Sequence, residues 1–131
     1  MQVTKDASLE DQMIRFRRDL HKYPETGFLE MRTASLVANA LTHIGYHLQI
    51  GEEVMDPNAC MGKPSEEETE AHYSWALENG AHPDFIEHFK DGYTGIVATL
   101  NTGKEGPTIA YRFDMDALDI HECEEESHVP V

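Results

Sequence analysis

The chain has 131 residues and a formal net charge of −15 at pH 7, and its length fits one ordinary domain. So acidic a chain is not expected to bind nucleic acid or an anionic membrane, since both require basic surface patches. Cys60 and Cys123 have no zinc-finger or disulfide-framework spacing, and no apolar run approaches the roughly 20 residues that span a bilayer. Without a signal-peptide core either, the protein is expected to be cytoplasmic.

A first helix is predicted to begin after Ser8, which can cap it, and to end before Pro24. Its apolar residues recur at helical spacing and form one stripe: Leu9, Met13, Phe16 and Leu20. In the turn that follows, residues 21–27, His21 and Glu25 are expected to be turn and cap residues rather than ligands.

A second helix is predicted from about Phe28 to Ile44, because apolar residues mark one face of it and Gly45 suits its C-terminal stop. Residues 46–50 then alternate between apolar and polar side chains, which predicts a half-buried strand. A helix followed by a strand indicates a layered α/β domain.

Residues 53–92 are predicted to be a helical insertion between two strands. Ser65 and Glu68 form a capping-box pattern that opens a helix to about Asn79, and a shorter helix follows from Pro83. Three aromatic residues are expected to form a small core for this insertion: Tyr73, Trp75 and Phe85.

The same region contains His72, His82 and His88. Their spacings do not place two ligands on one helix face, so they are expected to be surface histidines rather than a metal site.

A hairpin is predicted near the C-terminal end, with a strand at 94–100, a turn at 101–106 and a second strand from Thr108 to Phe113. Both strands are apolar on both faces, so another layer must cover them.

Asp114 and Asp116 follow the second of these strands and lie two residues apart, so in extended backbone they point the same way. Reactive groups in open α/β sheets collect beyond strand ends. The pair could hold a metal, orient a metal-bound histidine, or act as acid and base. The alternative is a polar loop that happens to follow a strand, and the spacing does not decide between these interpretations.

Several segments together resemble the M20 family of metallopeptidases and amidohydrolases. They are Arg17–Gly27 with Glu30 and Thr33, Thr94–Leu100, Thr102–Thr108 and Arg112–Asp119. Within that family the chain is most similar to the subgroup of p-aminobenzoyl-glutamate hydrolase A subunits. The features that point to the subgroup are Met61–Pro64, Gly92–Gly95 and Asp119. The resemblance covers residues 8–131.

The resemblance implies an α/β fold, the amino-terminal part of a zinc-peptidase-like catalytic domain with helices packed on a mixed sheet. It also implies amide hydrolysis at a two-metal centre, with zinc or manganese, and a glutamate as general base. By position, Asp116 matches the acid that orients a metal-bound histidine, and Asp114 is a site-adjacent candidate. Arg112 and Glu122 are expected to be structural. The enzyme is expected to be oligomeric, with a small amide as substrate.

By the same resemblance, the family supplies its metal ligands and base further along the chain, beginning with a cysteine-glycine-histidine-aspartate-glycine-histidine motif that this sequence does not contain. We therefore expect the 131 residues to be a catalytically inactive amino-terminal fragment that holds no tightly bound metal. Two alternatives remain open: a non-catalytic acidic module that binds another chain or cations, and a remnant of a truncated gene.

Overall fold

The computed structural model describes residues 8–120 together with residues 123, 125 and 127. It contains three α-helices and two strands: α1 (Leu9–Lys22), α2 (Met31–His43), β1 (His47–Ile50), α3 (Glu66–Glu78) and β2 (Ile96–Thr99). Short 3₁₀ helices lie at Gly51–Glu53 and Ile86–Phe89. The α/β class expected from the sequence is confirmed, and the sheet of the described residues consists of two antiparallel strands. None of the helices within these ranges has the length and apolar character needed to cross a bilayer.

Helix α1 begins as predicted, because the side chain of Ser8 accepts a hydrogen bond from the backbone N–H of Asp11. Its apolar stripe is not buried, however: Leu9 is 73% exposed and Met13 is 63% exposed. Within the described part of the chain, no layer covers the N-terminal half of α1.

Helix α2 begins three residues later than predicted. Phe28 has φ of +67°, a left-handed conformation that no helical residue adopts, so the helix starts at Met31. Its end agrees with the prediction, since Gly45 has φ of +94° and lies just beyond Ile44.

The two strands pair antiparallel, with Leu48 opposite Ala98 and Ile50 opposite Ile96. These four residues share the half-buried face that packs toward α2, and the alternate residues of both strands are exposed. The predicted half-buried strand at 46–50 is therefore confirmed.

The hairpin predicted between 94–100 and 108–113 is wrong. The antiparallel partner of β2 is β1, and Thr108–Phe113 forms no strand. In this segment Ile109, Tyr111 and Phe113 are 68%, 78% and 82% exposed. A strand needs a neighbour for its backbone groups, and the described residues provide none at this position.

Helix α3 starts with the predicted capping box, in which the Ser65 hydroxyl accepts from the N–H of Glu68 and the Glu68 side chain accepts from the N–H of Ser65. The region 53–92 does not have a separate core. Its buried residues join those of α2 in one cluster: Met31, Ala34, Ala38, Ala76, Ala81, Ile86 and Phe89. Tyr73, Trp75 and Phe85 are only partly buried and pack against this cluster.

Candidate functional site

The two predicted site residues make different interactions. Asp114 accepts a hydrogen bond from Nη2 of Arg112 at 2.8 Å, and both side chains are largely exposed. Asp116 lies close enough to Glu30 for its charge to act on that carboxyl group. Glu122, the other expected structural residue, lies outside the described residues. Of the two aspartates, only Asp116 thus affects a buried acid at the start of α2.

Glu30 is this buried acid, and its Oε2 accepts a hydrogen bond from the Thr94 hydroxyl at 2.8 Å. The pKa of Glu30 lies above its ordinary value of 4.5, chiefly because burial disfavours the charged form. The negative charges of Asp116 and Glu25 raise this pKa further, whereas hydrogen bonds from the backbone and from Thr94 lower it. The carboxyl group is thus biased toward holding a proton.

Glu25 is the second buried acid, and it caps α2 from outside the helix. Its Oε1 accepts from the N–H of Arg32 at 2.9 Å, and its Oε2 accepts from the N–H of Thr33 at 2.6 Å. These two donors are among the four N–H groups that the first turn of a helix leaves without helical partners. The prediction that Glu25 is a cap residue is therefore confirmed.

His72 was expected at the surface, and this expectation is wrong. Its Nε2 lies 2.9 Å from Oε1 of Glu25, and its side chain is only 18% exposed. The imidazole ring lies against Trp75, with 4.8 Å between the ring centroids. A signal was present in the sequence, because residues three apart on a helix share a face and Trp75 was expected to point inward. Of the other two histidines, His88 is exposed and His82 is half-buried.

Arg32 ties this group of residues to α1. It is 4% exposed, its Nη2 contacts both carboxylate oxygens of Asp19 at 2.9–3.0 Å, and its Nε donates to the carbonyl of Asn79. The guanidinium group also lies over the ring of Tyr23, 4.2 Å from its centroid. Arg32 therefore connects the start of α2 with α1, with the turn between these two helices and with the end of α3.

The residues gathered here do not fit a metal centre. Across 8–120, 123, 125 and 127, no three His, Cys, Asp or Glu side chains are grouped so that they could hold an ion. The oxygens of Glu25 already accept from two backbone N–H groups and contact His72, and Oε2 of Glu30 accepts from Thr94. This arrangement is typical of buried carboxyl groups that stabilise a fold through hydrogen bonds, and Asp116 lies next to it.

An open groove of about 700 Å³ lies elsewhere, beside α3. Its lining includes Lys63, Tyr73, Glu87, Lys90 and Tyr93, and neither Asp114 nor Asp116 contributes to it. Lys63 lies over the ring of Tyr93, and Glu87 contacts both Tyr73 and Lys90. These contacts engage both lysines of the groove with neighbouring side chains.

Comparisons with known proteins find close relatives, although the chain matches no protein-family model. The chain is 46% identical over 123 residues to the A subunit of p-aminobenzoyl-glutamate hydrolase from Escherichia coli, a match that covers 94% of the chain. It is also 46% identical over 119 residues, 91% of the chain, to indole-3-acetyl-aspartic acid hydrolase of Enterobacter agglomerans. A crystal structure of an aminobenzoyl-glutamate utilization protein from Klebsiella pneumoniae superimposes on 85% of the chain, with a TM-score of 0.82 and 47% identity.

The chain spans only 27–28% of the length of these three relatives. The fold and the sequence agree over the matched part, which includes most of the described elements. Over nearly its whole length the chain is thus homologous to the p-aminobenzoyl-glutamate hydrolase A subunits, and the resemblance predicted from its motifs is confirmed.

Proposed function

We propose that this chain belongs to an amidohydrolase that cleaves the amide bond between an aromatic acyl group and an acidic amino acid. The observation that carries the proposal is the equal identity, 46%, to two hydrolases whose names specify such amides, p-aminobenzoyl-glutamate and indole-3-acetyl-aspartate. In both compounds an aromatic acyl group is joined to an amino acid with a carboxylate side chain. The first candidate substrate is p-aminobenzoyl-glutamate, in the catabolism of folates.

In this proposal the 131 residues support catalysis and do not perform it alone. Asp116 is the residue that would accept a hydrogen bond from a metal-bound histidine, and Asp114 is a site-adjacent residue of lesser weight. Zinc or manganese in the whole enzyme would be held by residues other than those described, because the two buried acids, Glu25 and Glu30, are engaged in the contacts given above and the described residues contain no group of three potential ligands. The expected assembly is a cytoplasmic homo- or hetero-oligomer.

The proposal is tested by extending the reading frame beyond the codon for Val131 and assaying the resulting protein. The extended protein is expected to hydrolyse p-aminobenzoyl-glutamate, and indole-3-acetyl-aspartate more slowly or equally well. The purified 131-residue chain is expected to hydrolyse neither. Turnover by the short chain would contradict its supporting role, and an extended protein inactive toward both amides with added zinc or manganese would overturn the proposal.

A second candidate function is an acidic, non-catalytic interaction module. It is favoured by the exposed apolar side chains of Ile109, Tyr111 and Phe113, because such patches mark contact sites. Sedimentation of the chain should then reveal association, or its unfolding should respond to divalent cations. Monomeric behaviour with cooperative unfolding that divalent cations leave unchanged would reject this candidate.

A further inference from the structure

The residues on either side of Asp116 are both held by contacts with the rest of the chain. The side chain of Met115 packs against the buried core cluster, and the backbone N–H of Ala117 donates to the carbonyl oxygen of Glu25 at 2.7 Å. Met115 is the one residue between Thr99 and Ile120 that is not exposed. The position of Asp116 relative to the rest of the molecule therefore depends on a main-chain atom of Glu25.

The main chain of Glu25 is in turn fixed through its own side chain. That side chain is fully enclosed, with two backbone N–H groups of α2 and the imidazole of His72 around its two oxygens. A carboxylate held by several donors cannot rotate without losing charge-assisted hydrogen bonds in a buried environment. A shift of this side chain would move the carbonyl group to which Ala117 is bound.

His72 is the part of this arrangement that comes from a distant segment. It lies on α3, 47 residues along the chain from Glu25, and it does not come from the helix that Glu25 caps. Oε1 of Glu25 accepts from the N–H of Arg32, and Nε2 of His72 is assigned as a second donor to the same oxygen. The ring of Trp75 packs against the imidazole and limits its rotation.

We propose that Glu25 and His72 are positioning residues for Asp116. In this arrangement His72 of α3 holds the carboxylate of Glu25, and the carbonyl oxygen of Glu25 in turn holds the end of the 108–116 segment. The role of Asp116 in catalysis rests on the proposed function, but the positioning itself does not. The competing interpretation is that Glu25 only caps α2, in which case His72 has no effect on the Asp116 segment.

The test is amide hydrogen exchange measured by NMR on the purified chain, without substrate. The His72→Phe variant keeps a ring against Trp75 but removes the donor to Glu25. The His72→Gln variant offers a side-chain N–H in place of the imidazole. Exchange is followed at Ala117, with the N–H of Gly51, which donates to Gly95 at the end of the sheet, as an internal reference.

Exchange at Ala117 is expected to be roughly tenfold faster or more in His72→Phe, the change that follows from losing a hydrogen bond to a charged group. The His72→Gln variant should restore much of the protection, and Gly51 should be unchanged in both. Equal rates at Ala117 in His72→Phe and the wild-type chain would overturn the proposal, as would a parallel change at Gly51 that reports loss of global stability.

Should His72→Phe fail to fold, His72→Leu decides the question with the same two amides. Its side chain cannot donate to Glu25 and leaves the two backbone hydrogen bonds of Glu25 to α2 in place, so Ala117 should again exchange faster while Gly51 does not. Activity of the extended protein is a separate readout, in which His72→Phe should lower kcat with little change in KM. Faster exchange at Ala117 in a protein inactive toward both amides would support the positioning role and reject only the proposed function.

Discussion

The hydroxyl group of Thr94 donates a hydrogen bond to Oε2 of Glu30 across 64 residues of sequence, and both side chains are buried. This contact joins the residue before α2 to the segment that leads into β2. It lowers the cost of enclosing a carboxyl group, but the pKa of Glu30 remains raised because burial is the larger effect. The first two predictions below follow from these opposing effects on the pKa of Glu30.

The first prediction concerns the dependence of stability on pH. Because the pKa of Glu30 is higher in the folded chain than its ordinary value of 4.5, the folded state binds the proton more tightly than the unfolded state. Its contribution to stability is therefore fully present below pH 4.5 and is lost as the pH rises through the folded-state pKa.

The variant Glu30→Gln is neutral at every pH and keeps an oxygen that can accept from Thr94. The difference in unfolding free energy, variant minus wild type, should therefore increase with pH above 4.5 and level off once the pH exceeds the folded-state pKa of Glu30. Urea unfolding at several pH values measures it. A difference that is constant with pH would show that the Glu30 pKa is not raised by folding.

The second prediction concerns the charge of Asp116. Since this charge raises the pKa of Glu30, Asp116→Asn should lower that pKa, as followed by the carboxyl carbon signal of Glu30 in an NMR titration. The matched control is Asp114→Asn, whose carboxylate pairs with Arg112 in an exposed position. An equal effect of both variants would mean that Asp116 is not specifically close to Glu30.

The third prediction concerns the start of α3. Ser65→Ala removes the hydroxyl of the capping box and is expected to lower the unfolding free energy by about 1 kcal/mol. Ser74→Ala is the control, because that hydroxyl donates to the Glu70 carbonyl within the helix and alanine is the better helix former. Chemical unfolding of the two variants compares them, and equal losses would rule out a specific capping role for Ser65.

The fourth prediction compares two glycines with similar backbone conformations. Gly92 has φ of +79° and Gly80 has φ of +90°. A Cβ atom at Gly92 would lie 2.9 Å from the carbonyl oxygen of Phe28, whereas nothing lies within 4 Å of one at Gly80. Gly80→Ala should therefore cost about 1 kcal/mol for the backbone conformation alone, and Gly92→Ala clearly more. Thermal or urea unfolding gives both values, and equal costs would contradict the close approach of Phe28 to Gly92.

The fifth prediction concerns two phenylalanines with opposite environments. Phe89 is 0% exposed in the core, so Phe89→Ala should cost about 3–5 kcal/mol. Phe113 is 82% exposed, and Phe113→Ala should change the unfolding free energy by about 0.5 kcal/mol or less. A loss of about 2 kcal/mol or more at Phe113 would show that residues 108–113 pack against another part of the chain in solution, against the structure described here.

Features specified by neighbouring residues could be predicted from the sequence, and those specified at a distance could not. The Ser8 cap, the Ser65 and Glu68 capping box and the Gly45 stop depend on a few adjacent residues, and all three were predicted. The start of α2 was predicted too early because the left-handed conformation of Phe28 leaves no trace in the apolar pattern. The 108–113 strand was predicted from composition, which cannot say whether a pairing partner is present.

The same distinction applies to the candidate site. Asp116 was singled out because it follows a predicted strand, and the family resemblance then gave it a specific role, which remains a prediction. The contacts of Glu30 with Thr94 and of Glu25 with His72 join residues 64 and 47 positions apart. No spacing rule predicts such pairs, because they exist only once the helices have packed.

Trp75 is the single tryptophan of the chain, and its ring contacts both the imidazole of His72 and the ring of Tyr23, with 6.3 Å between the centroids of Trp75 and Tyr23. The tryptophan fluorescence of the protein therefore originates at the junction of α3 with the turn before α2, and no dye is needed to observe this junction. Separation of α3 from the turn would expose the indole to water and shift its emission to longer wavelength. Stopped-flow fluorescence can thus time the docking of α3 during refolding of the unmodified chain.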